Sequence, residues 1–329
     1  MAISIERYTN QPVAVKYMRH FLRGSGAHRQ RLRFLREALV WRDLHHPFIL
    51  PLLGIDNESF PLSLCLVSPW MEHGTVVKYL NEHGRKDVDR LLFEIAQGLE
   101  YLHSRNIVHG DLRGANILIG PEHHACLTDF GLSVFSNASS SMRTSTRAGC
   151  IYWMAPELID PDRFGLAGKF VRTPASDIYA FACVCYELYV GKAPFANLAE
   201  PTALLRIVNG GRATRPHPAD VTFPDELWDQ INSCWVETPS LRPTINEVVE
   251  DISRDAESTS VTRPPNLAHN SPDESQSDTQ SLFAFPSESE PNPVRMPMGI
   301  AHGHVPMGTH GHVLQDRSIH PAGWVYPVG

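Results

Sequence analysis

Between Ile107 and Ile119 the chain reads IVHGDLRGANILI, two apolar runs that bracket a polar island of His109, Asp111, Arg113 and Asn116. A scaffold that displays functional groups on a loop has this outline, and so does a plain turn between two apolar segments. Three further segments shift the balance. VAVK ends a strand-like stretch on Lys16, LTDFGLS sets Asp129 before Phe-Gly, and YWMAPEL carries Glu157. Singly, each has an ordinary explanation. A lysine that ends a strand is usually solvated, a glutamate on a basic helix such as Glu37 usually makes surface pairs, and an aspartate before Phe-Gly can be a turn residue. In order along one chain, they supply a cation, oxygen donors suited to a hard metal ion and a carboxylate to face a nucleophile, which are the groups that phosphoryl transfer requires.

The elements that must position these groups follow from periodicity. Val13 to Tyr17 reads as a strand, and Ala27 to Leu44 as an amphipathic helix with an apolar stripe at Leu32, Leu35, Leu39 and Val40. Ile49 to Leu53 and Leu62 to Val67 are further strands. Val88 to Ser104 places Leu91, Leu92, Ile95, Leu99 and Leu102 at helical spacing, and more helical segments follow up to Ile252. The expected class is α+β: a strand-rich first part with one helix, then a mainly helical second part.

Composition narrows the function classes. The 329 residues are 42% hydrophobic and 20% charged, enough to bury a sizeable core, and the net charge of −7 gives no basic field for nucleic acid or an anionic membrane. Ile178 to Val190 is too short to span a bilayer and contains Glu187, so it is expected to be a buried core helix. The N-terminal stretch has no apolar run of the signal-peptide kind, and six cysteines without a C-x-x-C pair read as reduced thiols, so an intracellular, cytoplasmic protein without a membrane segment is expected. From residue 257 to 329 the chain is dominated by Ser, Pro, Asp, Glu, Gly and His, and is expected to be a disordered tail. PMGIAHGHV and PMGTHGHV repeat within it, and their His302, His304, His310 and His312 read as linker residues in preference to a nickel or copper site.

With VAVK, HGDLRGAN, DFG and APE in sequence, the chain resembles the protein kinase family over roughly residues 8 to 255, closest to the tyrosine-kinase-like group of serine/threonine kinases. The resemblance implies a bilobal fold: a partial small lobe over residues 1–70, a helical lobe over 71–256, and the tail. It implies ATP and Mg²⁺ as cofactors and a protein substrate, with signalling partners reached through the tail. Lys16 would contact the α- and β-phosphates and be held by Glu37; Asp111 would take or orient the hydroxyl proton; Arg113 would neutralise the transferring phosphate; Asn116 and Asp129 would hold the metal ions. In LCLVSPWMEHG, Ser68 would back the adenine pocket, with the Pro69 carbonyl and the Met71 N–H meeting the base. Glu157 and Arg242 would form a buried ion pair, Asp177 would brace the catalytic loop, and Ser133 to Arg147 would be the activation loop.

Departures qualify the resemblance. His-Gly-Asp replaces His-Arg-Asp, which removes the side chain that usually pairs with a phosphorylated activation loop, and the same tripeptide occurs in small-molecule phosphotransferases. Arg113 stands where serine/threonine kinases usually carry lysine, although the loop as a whole favours Ser/Thr acceptors over tyrosine. Residues 1 to 15 contain no glycine, so the expected Gly-rich loop upstream of Lys16 is missing. A fragment or a pseudokinase scaffold would account for that, and either would bind Mg-ATP weakly.

Overall fold

The structure, a computed structural model, describes residues 12–17, 25–56, 65–130, 134–135, 150–219, 221–261 and 324–325. In chain order, the first elements are β1 (Val13–Tyr17), α1 (Ser25–Arg42), β2 (Gly54–Asp56) and β3 (Cys65–Pro69). There follow α2 (Val76–His83), α3 (Val88–Ser104), β4 (Ile107–Val108), β5 (Ile117–Ile119), β6 (Ala125–Leu127) and β7 (Val134–Phe135). The remainder comprises α4 (Pro156–Ile159), α5 (Pro174–Val190), α6 (Glu200–Val208), α7 (Asp225–Cys234), α8 (Ile245–Val261) and β8 (Trp324–Val325). The expected α+β class, a small sheet with one helix followed by a helical region, is what the chain adopts.

The four-stranded antiparallel sheet runs β2-β3-β1-β8, with Lys16 opposite Leu66 on one side and opposite Trp324 on the other. Alternation along β1 puts Ala14 and Lys16 on its buried face and leaves Val13 exposed. The lysine therefore points inward instead of ending in solvent.

Helix α1 answers that lysine. Its buried residues are Phe34, Glu37, Ala38, Val40 and Trp41, while Leu32 and Leu39 are 52% and 59% exposed. The expected stripe through Leu32, Leu35, Leu39 and Val40 is thus rotated. Glu37 must face Lys16, and the Trp41 indole N–H donates to the Leu50 carbonyl, so the helix turns Phe34, Ala38 and Trp41 inward with them.

Ile49 to Leu53 is not a strand. Ile49 makes one isolated bridge to Leu127, and β2 begins only at Gly54. Pro51 has no N–H to give a ladder, which delays regular pairing until after it. Helix α3 buries all five expected apolar residues, and α5 is the expected buried helix, opened by a capping box between Thr173 and Ser176 and closed by Gly191 in the left-handed region. Among the described residues no helix is long and apolar enough to cross a membrane.

The tail boundary expected at 257 falls inside α8, which continues to Val261 because no proline or glycine interrupts it before Pro264. Trp324–Val325 is a strand on β1. Residues 262–323 and 326–329, including the four histidines, lie outside the described residues, as does all of the expected activation loop except Val134–Phe135, which pairs with β4.

Arg242 and Glu157 form the expected ion pair, bidentate at 2.6 and 2.8 Å with both side chains out of solvent. Arg242 also donates to the carbonyls of Ala175, Val236 and Glu237, tying α4, α5 and the segment before α8 together. Arg242→Met strands a buried carboxylate and should lower the free energy of unfolding by about 3–5 kcal/mol, whereas Glu157→Gln combined with Arg242→Met should cost less than the single arginine change. Denaturant melts of the three variants make the comparison.

Candidate functional site

The polar island hangs between two short strands, β4 and β5, and its backbone is held from beneath. Asp177, buried near the start of α5, accepts the His109 N–H at 2.8 Å and the Gly110 N–H at 2.9 Å, and pairs with His103 Nε2 at 2.9 Å. Gly110 takes φ +77°, a conformation that costs a side-chain-bearing residue, which supplies a conformational reason for glycine at this position. His109 is fully buried. Its Nδ1 accepts the Asp111 N–H and its Nε2 lies 3.0 Å from the Thr128 carbonyl, so the hydrogen bonds select the Nε2–H tautomer.

Above this base Asp111, Arg113 and Asn116 converge. The Asn116 amide nitrogen donates to the Asp111 carbonyl at 2.7 Å and to its carboxylate at 3.0 Å, and Arg113 Nε stands 3.7 Å from the other carboxylate oxygen. That arrangement leaves Asn116 Oδ1 buried with no hydrogen-bond partner. A buried amide oxygen beside a carboxylate is a pair of donors that could hold a hard cation. Burial pushes the Asp111 pKa up and the nearby Arg113 charge pulls it back.

Asp129 reaches the same region from the end of β6. The Thr128 N–H donates to the Asn116 carbonyl, which fixes the two strands side by side, and Asp129 itself adopts φ +64°, uncommon for an aspartate. Its Oδ1 accepts from Lys16 Nζ at 2.7 Å, and Glu37 Oε1 accepts from the same ammonium at 2.5 Å. Lys16 is only 9% exposed and Glu37 7%. Burial opposes the charge on Lys16, but the two carboxylates outweigh it and hold the pKa above the ordinary lysine value. The structure thus brings Lys16, Glu37 and Asp129 into one buried cluster, and Asp111, Arg113 and Asn116 into an adjoining one.

The remaining expected residues lie along β3 and just beyond. Ser68 is buried and its hydroxyl donates to the Pro69 carbonyl at 3.3 Å, and Met71 accepts at its carbonyl from the Gly74 N–H. Asp111 also lines a small pocket together with Cys150, Trp153, Met154, Phe170 and Arg172. Reading the sequence missed Arg172, whose Nε donates to the Gly110 carbonyl at 2.8 Å, and Glu187, whose Oε2 accepts from the Gly114 N–H and the Trp153 indole. A charge inside the apolar run of α5 was the available signal for Glu187. Nothing in the spacing marked Arg172.

A family model described as protein tyrosine and serine/threonine kinase matches residues 2–252. Serine/threonine-protein kinase STY17 of Arabidopsis thaliana is 29% identical over 252 residues, which are 75% of this chain and 41% of that protein. Serine/threonine-protein kinase BCK1/SLK1/SSP31 of Saccharomyces cerevisiae is 31% identical over 65% of this chain and 14% of its own length. Tyrosine-protein kinase Shark of Drosophila melanogaster is 30% identical over 70% of this chain and 24% of its own length. The chain spans less than half the length of each of these relatives.

Asp177→Ala removes the acceptor of two backbone amides at once. It should cost about 3 kcal/mol of stability and speed amide exchange at His109 and Gly110 ahead of the rest of the loop, as hydrogen-exchange mass spectrometry would read.

Proposed function

The chain belongs to the family of protein tyrosine and serine/threonine kinases, and from that membership we propose that it transfers the γ-phosphoryl group of ATP to a hydroxyl of a protein substrate, serine or threonine in preference to tyrosine. The observation that carries the reading is the buried ammonium of Lys16 between Glu37 and Asp129, set beside a carboxylate and an orphaned amide oxygen. That set has one cation for phosphate oxygens and several oxygen donors for a metal, which is the division of labour that phosphoryl transfer needs. Two of the named relatives are serine/threonine kinases, which supports the acceptor preference.

In this reading Lys16 grips the α- and β-phosphates, and Glu37 keeps its ammonium from swinging away. Asn116 Oδ1 and the Asp129 carboxylate hold Mg²⁺, which when bound neutralises charge on the phosphate oxygens. Asp111 orients the acceptor hydroxyl and takes its proton, helped by a carboxylate already held by Asn116. Arg113, buried and close to Asp111, offsets negative charge as the phosphoryl group passes. The Pro69 carbonyl and the Met71 N–H hold the adenine, at the junction between a small lobe ending near residue 70 and a helical lobe beyond it. An intracellular, cytoplasmic setting, with signalling partners reached through the C-terminal segment, completes the reading.

The test measures label transfer from γ-labelled ATP to a generic protein substrate, alongside nucleotide binding. Lys16→Met and Asp129→Asn should abolish transfer. Asp111→Asn keeps the shape of the side chain and should lower kcat by about a hundredfold or more while leaving nucleotide affinity within about threefold. Transfer at wild-type rates in any of the three would overturn the role given to that residue. Nucleotide binding without transfer in the wild type would favour a scaffold.

A further inference from the structure

Strand β1 is an interior strand because β8 covers one of its edges. The sheet order is β2-β3-β1-β8, so the side of β1 away from β3 meets Trp324–Val325. The ladder on the other side shows which backbone groups that edge presents. The Trp70 N–H donates to the Pro12 carbonyl, so Pro12 faces β3, and with a period of two the backbone groups of Ala14 and Lys16 face β3 as well. Those of Val15 therefore face β8, where Val15 stands opposite Val325. Without a partner, the N–H and C=O of Val15 would form an open sheet edge directly before Lys16.

The occupant of that edge has the composition of a strand. From Pro286 to Gly329, Phe, Trp and Tyr occur only at Trp324 and Tyr326, on either side of Val325, and Gly323 and Pro327 bound the three residues. A two-residue strand whose one facing pair exchanges two backbone hydrogen bonds is weak by itself. Connection to the same chain offsets that weakness, because an intramolecular partner is never diluted. We propose that the edge of β1 is a docking site for an extended peptide, and that the chain's own segment around Trp324–Val325 is a replaceable occupant whose presence steadies Lys16. Main-chain hydrogen bonds give such docking its affinity. Weak pairing held by connection is also the kind that a competing strand displaces.

Lys16 is the next residue along the strand. Its ammonium is held by Glu37 and Asp129, and its backbone lies opposite Leu66 of β3. Pairing at Val15 adds a hold on the opposite edge of the same strand. β1 has only five residues, and an edge strand of that length opens locally more readily than one paired on both sides. The effect on Lys16 rests on the kinase reading, whereas the docking does not.

The test uses the full chain. Val325→Pro removes the N–H that faces Val15, whereas Val325→Thr keeps that N–H and a β-branched side chain. In Val325→Pro, residue-resolved hydrogen exchange at Val15 should quicken by about tenfold or more, with Ala14 and Lys16 within about twofold of the wild type. Val325→Thr should leave all three near wild type. A peptide of residues 321–329, added in excess to Val325→Pro, should slow Val15 again. Mg-ATP affinity, lowered about threefold or more in Val325→Pro, should recover with it. Unchanged exchange at Val15, equal quickening at Ala14 and Lys16, or a peptide that restores nothing would overturn the docking site. Unchanged nucleotide affinity beside a quickened Val15 would overturn the hold on Lys16. If the wild type binds no nucleotide, the kinase reading fails on that result while exchange still decides the docking.

Discussion

One ammonium group held out of water between two carboxylates governs the geometry of the site. Lys16 comes from the sheet, Glu37 from α1 and Asp129 from the loop after β6, so three separately folded segments must meet at one atom. A buried charge without a partner costs far more than any packing contact nearby returns, which makes the meeting point stringent even though such clusters add little net stability. The rotation of α1 follows from it, with Leu32 and Leu39 left facing solvent so that Glu37 can face the sheet. One cation between two anions also leaves an unbalanced negative charge.

The second constraint is the loop beneath. Backbone amides at a turn need acceptors, and Asp177 provides two of them from a helix that is itself buried along most of its length. The chemistry is thereby separated from the support: Asp111 and Asn116 face each other above, while His109, Asp177 and Phe130 fill the floor. The unusual backbone of Asp129 belongs to the same division. Its left-handed φ turns the carboxylate back toward Lys16, and such conformations persist only where the surroundings over-determine them.

Much of this was legible in the sequence, for identifiable reasons. Asp111, Asn116, Asp129, Lys16 and Glu37 could be picked out because their order along the chain is informative even where each residue alone is not. Helices α3 and α5 were legible because burial on a wide face leaves a clear period. The phase of α1 was not, since an apolar count treats Glu37 as an outward residue and an ion pair reverses that. Ile49 to Leu53 looked like a strand by composition, and Pro51 overruled it. Glu187 and Arg172 depend on contacts across long sequence separations, as does the pairing of Trp324 with Lys16. Apart from the charge that Glu187 places inside the apolar run of α5, no local pattern encodes them.

The tight fit between Gly114 and Val77 bears on how this chain can drift over evolutionary time. With valine at 77, glycine at 114 has no neutral replacement, because even a methyl group lands 2.5 Å from the valine side chain. Shortening Val77 first would open that contact and leave only the carboxylate of Glu187 to resist a side chain at 114. The order of substitution therefore matters: the same pair of changes is passable in one direction and blocked in the other. Lineages that fixed a small residue at 77 would explore loop sequences closed to this one, so variation at two positions in different elements is historically contingent.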